Sequence, residues 1–544
     1  MNDISPSERL APSRWKEDPW SIPAGLQKTW AFIKRSLHEH PVYTALAVLV
    51  VVLGLYIERQ LLQVVWIFVR IYLPGVLIAG GVALGLWWWL KRYSVRVRTF
   101  GGILATAVAF VGVFFGRGTH DYFAQYLRYE TLQVTERSEP LISDKERILP
   151  LRAIHTMARD RMATQERPAE PDIIRSGEKL YWSMAIEPSQ FWGKLLYPID
   201  QVMWVPSTDA SPDIGKSIVP VHFNVGENLR FSRNTDTCVR RAFGLWRSMS
   251  YEPGNVLYLP DGSGKTVQVV LLTKWVGWIF PWPEFGGVQI IEQGDTNIAE
   301  RLFLGCGRWI PPEEVGKHTF LVGQNIVPYE VSRFRAASLR FHGGSNWFTR
   351  LFSPLRWIRQ GDVVIADIPD DMNQQPFTLF FRKDAEDTGK LYHYFCLETT
   401  DSDTHGLAVS FWYPADGLGE AFEVPHGMLG QRLLGCTSIR DRVEASRRSY
   451  KWGANTVAEA RPYIHPIADA KGRVKLRFLY MTTLVTFTEK KSPDGSEIRF
   501  TAGGTPEVAL VDADRERVVW VDTYHPEKWD EQVWQELGAL WAQE

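Results

Sequence analysis

The chain is predicted to place transmembrane α-helices near its N-terminus, followed by a large, mostly-β, sandwich or barrel-like soluble region with a few helices. Three observations predict this architecture. Three charge-poor apolar runs fall between residues 41 and 116. Short β-branched and aromatic segments punctuated by Gly, Pro and Asp follow residue 173. Helical periodicity is sparse beyond that point.

The apolar runs come first. Val42–Ile57 holds no charge and is followed by Glu58 and Arg59. Leu73–Leu90 ends in Trp87, Trp88 and Trp89 and then Lys91 and Arg92, the aromatic belt and basic anchors of a membrane-spanning helix. Residues 61–72 read either as an extension of that span bent at Pro74 or as an amphipathic helix in the interface. A third run, Phe100–Phe115, is followed by Arg117. Two or three spans are expected, at about 42–57, 73–90 and 99–116, after a tail over 1–40. Gly81/Gly85 and Gly112/Gly116 have the small-xxx-small spacing that lets helices pack in lipid, on each other or on other subunits including a second copy.

Orientation follows from basic residues. Lys28, Lys34, Arg35, Lys91, Arg92, Arg96 and Arg98 fall on one side of a three-span arrangement, against Arg59, Arg117 and Arg128 on the other. A three-span count puts the tail in the cytoplasm and the large domain on the outer side of the inner membrane in a bacterium; an even count reverses this.

Residues 117–172 are charged, carry helical spacing at Ile148, Leu151, Ile154 and Met157, and read as a helical stalk. Strands are then expected at 256–259 and 267–272 around Pro260-Asp261-Gly262-Ser263-Gly264, at 361–368, 377–382, 391–399, 475–487 and 497–500, and at 508–511 paired with 518–521. Helices are expected at 439–450 and 526–541. The β region divides into 173–350 and 351–544, the latter a second domain or a continuation of the first.

Composition narrows the function. Lys plus Arg number 61 against 62 Asp plus Glu, so there is no global basic surface for nucleic acid. Cys238, Cys306, Cys396 and Cys436 lie far apart, without Cys/His spacing suited to zinc, and neither a metal nor a cofactor is expected. Gly262-Ser263-Gly264-Lys265-Thr266 resembles the end of a phosphate loop, but Leu259 stands where the first glycine belongs, and a hairpin turn is the better reading. The acidic segments 367–373, 401–405 and 512–514 lack the glycine and terminal glutamate of a calcium loop. There is no G-x-S-x-G or H-E-x-x-H, and His393 and Cys396, three apart in an alternating strand, face opposite ways.

The unusual stretch is Trp275–Gly287, with Trp275, Trp278, Phe280, Trp282 and Phe285 among prolines and glycines. These rings, with Trp347 in a second aromatic loop, are the candidate binding residues for a partner protein, a sugar or the lipid interface; the bland alternative is that they plug one end of a β core. The expected function is a non-enzymatic, membrane-anchored assembly protein in an envelope or membrane complex. The alternative is a membrane-tethered enzyme acting on envelope polysaccharide through two carboxylates in a cleft with Trp platforms. A transporter is disfavoured, since Arg70 is the only ionisable residue within the runs suited to a pathway.

Overall fold

The computed structural model describes residues 41–57, 59–90, 101–103, 107 and 120–541, less 278–279, 295–296, 342–362, 369–372, 385, 400–405, 428, 453–454, 469–473 and 492–497. The expected tail, nearly all of the third apolar run, Trp278 and Trp347 therefore lie outside the described residues. The chain divides into two compact units, 1–59 and 60–544.

The described part of the first unit is one helix, Pro41–Ile57, of 17 residues without a charge. Its large side chains from Val42 to Tyr56 are exposed wherever they are described. In the second unit a helix of 32 residues, Arg59–Leu90, runs continuously through position 74, so residues 61–72 extend it. It exposes Val65, Trp66, Phe68, Leu73, Leu77, Leu84 and Trp87–Trp89, and only Ile67 is buried among its described large apolar residues. Judged on the described residues alone, no helix is long and apolar enough to cross a membrane.

The rest of the second unit is mostly β. A five-stranded antiparallel sheet comprises Glu166–Pro168, Asp172–Ser176, Lys179–Pro188, Ile199–Pro206 and Ile218–Phe223. A four-stranded sheet follows from Tyr251–Pro260, Thr266–Val276, Trp282–Ile291 and Arg308–Ile310; Asp261 closes its first hairpin by accepting from the backbone N–H of Ser263 and Lys265. Its second hairpin bulges between Phe285 and Val288, where Gly287 adopts φ +84°. A Cβ there would stand 2.1 Å from the Ile310 carbonyl oxygen, so the Arg308–Ile310 strand can dock only against glycine.

The eight-stranded sheet is central. Its main path runs Val134–Glu136, Ala421–Pro425, Gly406–Pro414, Lys390–Thr399, Phe377–Arg382, Ile142–Ser143. Alternate residues of Lys390–Thr399 serve different cores. Phe395 and Leu397 face the 251–291 sheet and the helix Tyr329–Ser338, whereas Tyr392, Tyr394 and Cys396 face the last sheet, Asn455–Ala468, Val474–Lys491, Ile498–Asp512 and Val518–Val521. Burial on both faces explains why this strand reads as a nearly continuous apolar run. The C-terminal helix Trp529–Trp541 covers the outer face of the last sheet through Trp529, Val533 and Leu537.

One expectation differs from the structure. Residues 117–172 do contain helices, at 120–131 and Leu151–Arg161, but they do not stand apart as a stalk. Val134–Glu136 and Ile142–Ser143 add to the central sheet, and Leu141, Ile148, Leu149 and Ile154 are buried in the cores of the β region, since a helix with an apolar stripe is more stable packed than solvated. Segments 173–350 and 351–544 share a core, because Leu257, Val269 and Val331 cluster with Phe395, Val409 and Phe411. The shared core favours a continuation of the first segment over a separate second domain.

Candidate interaction surfaces and a buried thiol cluster

The aromatic stretch forms the turn between Thr266–Val276 and Trp282–Ile291. Trp275 donates its indole N–H to Glu252 at 2.8 Å, and Trp282 donates to Glu284 at 3.1 Å. Glu284 also pairs with Arg128 at 3.1 Å and with Arg335, so the base of the hairpin is clamped to the helices 120–131 and 329–338. Burial, with Arg335 adding to it, holds the Arg128 guanidinium below its ordinary pKa. The Phe280 ring lies 5.2 Å from Phe123, and Phe285 is 9 % exposed within the core. All four described candidates, Trp275, Phe280, Trp282 and Phe285, are thus half-buried or buried by contacts within the chain. At the tip, Arg70 of the long apolar helix donates to the Gly277 carbonyl, placing this hairpin end beside that helix.

An apolar surface that the sequence reading missed lies elsewhere. The short helix Phe191–Leu196 bridges two strands and exposes Phe191, Trp192, Leu196 and the following Tyr197. It packs beside the turn Phe231–Arg233, where Phe231 is exposed, and that turn packs beside the helix Ile298–Phe303, which exposes Ile298, Phe303 and Leu304. Eight large side chains at 38–69 % exposure, with roughly 150–250 Å² for each when fully bare, present on the order of 900 Å². Phe231 is also held at φ +54°, a conformation costly for a bulky residue, without gaining burial inside the chain.

The rim of this surface beside the helix Phe191–Leu196 is cationic. The Arg230 guanidinium stands 5.6 Å from the Phe191 ring centroid, and its backbone N–H bonds to the Lys194 carbonyl at 3.1 Å. Burial first, then Arg167 and Arg230 nearby, holds the Lys194 ammonium below its usual pKa. The sequence signal was slight, two apolar pairs in a six-residue helix, and only the fold brings Phe231 and Leu304 alongside.

Arg308–Ile310 pairs with Val288–Ile290, so the helix Ile298–Phe303 stands towards the end of the sheet opposite the 276–282 turn. At ~3.3 Å per strand residue that separation is about 25–30 Å.

Polar groups gather inside the β region. Tyr329 donates to Asp172 at 3.2 Å and accepts from Asn325 at 3.0 Å; Asn325 also meets His393 Nε2 at 2.6 Å, and Ser332 meets His393 Nδ1 at 2.8 Å. Burial, with Glu170 adding to it, lifts the Asp172 carboxyl to about 7, and burial depresses His393 to about 3, so that imidazole is neutral. Asp172, Asn325 and His393 are all nearly inaccessible, which suits a structural network rather than contact with a substrate. A shallow surface cavity lined by Arg175, Ser176, Gly177, Pro260, Thr319, Phe320, Val322 and Gln324 contains no carboxylate. It does not supply the paired acids that glycoside cleavage requires.

No protein-family model, curated protein or solved structure matches this chain.

The four cysteines, read as isolated from their spacing, are not all isolated in the fold. Cys396 and Cys436 come together with Glu398, their ligating atoms within 4.8 Å of one another and all three residues buried. Both cysteines are free thiols, and burial, reinforced by Cys396 and Glu398, raises the Cys436 thiol well above its ordinary pKa.

Proposed function

We propose that the chain is a membrane-anchored assembly protein whose β region docks an acidic, apolar surface of another protein. The observation that carries this reading is apolar surface that the described residues leave uncovered, in two separate places. On the helices Pro41–Ile57 and Arg59–Leu90, large apolar residues project outward around the helix. Leaving such side chains in water forgoes about 1.5–3 kcal/mol each. Seventeen residues reach about 26 Å and thirty-two about 48 Å at ~1.5 Å per residue, against a hydrocarbon core of about 30 Å. Flanking residues and local thinning accommodate the shorter helix. On a three-span count the basic residues place the β region on the outer side.

The second bare surface is the Phe191–Tyr197, Phe231 and Ile298–Leu304 face. Its area matches the ~800 Å² that each partner contributes to an ordinary protein interface, and contiguous apolar patches of this size mark interaction sites. Pairing with a second copy about a two-fold axis would set Lys194 and Arg230 against their own counterparts, so charge favours a partner with an acidic rim. The anchoring lipid is disfavoured as occupant because the face lies far from the hairpin end that touches the long helix.

Anchorage is tested by alkaline extraction of isolated membranes, in which the full chain should remain in the pellet; release into the supernatant refutes it. Docking is tested with a photo-crosslinking residue placed at Trp192 or Leu304 in the full chain in native membranes. The expected adduct is to an acidic segment of another protein and is weakened by Lys194→Glu with Arg230→Glu. Adducts to lipid, to a second copy, or none at all refute the assignment.

A further inference from the structure

Cys396 and Glu398 stand two residues apart on the strand Lys390–Thr399, so both side chains project from the face that packs on the last sheet. Cys436 opens the turn Cys436–Ser438 against the same face. We propose that Cys396, Glu398 and Cys436 form a binding site for a thiophilic divalent cation, with Zn²⁺ the first candidate, held by two thiolate sulfurs and one carboxylate oxygen.

The donor set suits such an ion. Thiolates select soft or borderline cations, and a carboxylate is a regular companion ligand for zinc. Zn–S bonds of about 2.3 Å and Zn–O bonds of about 2.0–2.2 Å imply ligand-to-ligand distances of about 3.5–3.8 Å, so the observed set within 4.8 Å needs to close by no more than about 1 Å. The Tyr480 hydroxyl, 3.8 Å from Cys396 Sγ, is a further oxygen at the cluster.

The surroundings orient these ligands as an outer shell does. The Cys436 backbone N–H donates to Cys396 Sγ at 3.4 Å, and Gln375 Nε2 donates to Cys436 Sγ at 3.4 Å. Gln375 is itself fixed, accepting from the Cys396 N–H at 2.6 Å and donating to the Ala366 carbonyl at 2.7 Å. N–H groups aimed at sulfur favour thiolate over thiol and so work against the burial that keeps these thiols protonated; the incoming cation must still displace the proton. Thr437 donates its backbone N–H to Glu398 at 3.0 Å and its hydroxyl to the same carboxylate at 2.9 and 2.8 Å, fixing the rotation of the oxygen ligand. Binding is a proton-for-metal exchange: each S–H bond breaks, its electron pair bonds the cation, and two protons leave to solvent with no oxidant required.

The test uses the full chain in detergent micelles. Metal content is measured after purification without chelator; the protein is then stripped and titrated with Cd²⁺ and Zn²⁺, following the thiolate-to-cadmium charge-transfer band and the unfolding midpoint. The proposal expects one equivalent bound per chain, a band that saturates there, and a midpoint raised by zinc. Cys396→Ser with Cys436→Ser should lose both the band and the metal, and Thr437→Val should weaken binding by about 10-fold or more as an orienting residue. No band and no uptake by the wild-type chain overturns the proposal whatever the variants do. So does undiminished uptake by the double variant, or an unreduced mass showing Cys396 and Cys436 joined as a disulfide.

Discussion

Replacing Glu459 by alanine removes the carboxylate that faces two buried guanidinium groups. Glu459 pairs with Arg147 and stands 3.4 Å from Arg461, and each of the three side chains is no more than 2 % exposed. Its other oxygen accepts from the Leu151 backbone N–H at 2.7 Å, at the start of the helix Leu151–Arg161, and from Asn373 at 2.9 Å. One carboxylate therefore neutralises charge in the core, satisfies a helix-terminal N–H and ties three distant segments together. Removing one partner of a buried pair costs about 3–5 kcal/mol because the remaining charge stays desolvated, and the lost hydrogen bonds overlap with that figure rather than add to it. Set against a typical stability of about 5–15 kcal/mol, the loss is roughly a fifth or more of the whole. Glu459→Gln keeps an acceptor for Leu151 and nearly the same volume, so it should cost about 1.5–3 kcal/mol. The assay is denaturant unfolding of the full chain in micelles, followed by tryptophan fluorescence. An alanine variant within 1 kcal/mol of wild type refutes the reasoning; a glutamine variant as damaged as alanine would assign the whole loss to the missing charge, and a glutamine variant equal to wild type would assign it to packing.

Further outcomes follow from other groups. His465 meets Glu146 at 2.6 Å and Asp530 at 3.5 Å; burial opposes its protonation, but hydrogen bonds it donates to Asp530 and Glu146 outweigh burial and raise its pKa to about 9. With the folded value above the unfolded one of about 6.5, its stabilisation is complete below pH ~6.5 and is lost as pH rises through about 9. The expected loss is about 1–3 kcal/mol, discounted because Asp530 is 43 % exposed, and His465→Gln should flatten the stability profile in that window. Asp172 has the opposite character for an acid, its carboxyl raised to about 7 by burial. Between pH ~3.9 and 7 the folded chain holds a proton the unfolded chain has released, so stability falls with rising pH by up to about 3–4 kcal/mol, and Asp172→Asn should remove that fall in pH-dependent unfolding. Gly287→Ala sets a methyl against the Ile310 carbonyl at 2.1 Å in a left-handed backbone and should cost roughly 2–4 kcal/mol in the same assay; a neutral result would mean the Arg308–Ile310 strand is free to shift.

Local features of this chain were legible in sequence because their causes are local. The β-hairpin around Asp261 and the pairing of Val508–Val511 with Val518–Val521 follow from turn residues between alternating segments, and both form in the expected register region. The C-terminal helix, expected at 526–541, runs Trp529–Trp541 after the short turn Pro526–Lys528. His393 and Cys396 do project from opposite faces, since strand alternation alone decides it.

What the tertiary structure decided is which separate pieces meet. Nothing in the spacing of Cys396 and Cys436 says that a turn will return the second thiol to the first. Nothing in three short segments says that Phe191, Phe231 and Leu304 will share one face. The residues 132–149 resemble a charged linker, yet Val134–Glu136 pairs with Ala421–Pro425 across nearly three hundred residues of chain. Sequence patterns report the period of a segment and which side of it is apolar. The partner for that side is selected by competition among all apolar faces for burial, a non-local balance in which hydrophobic contact carries no label of sequence distance.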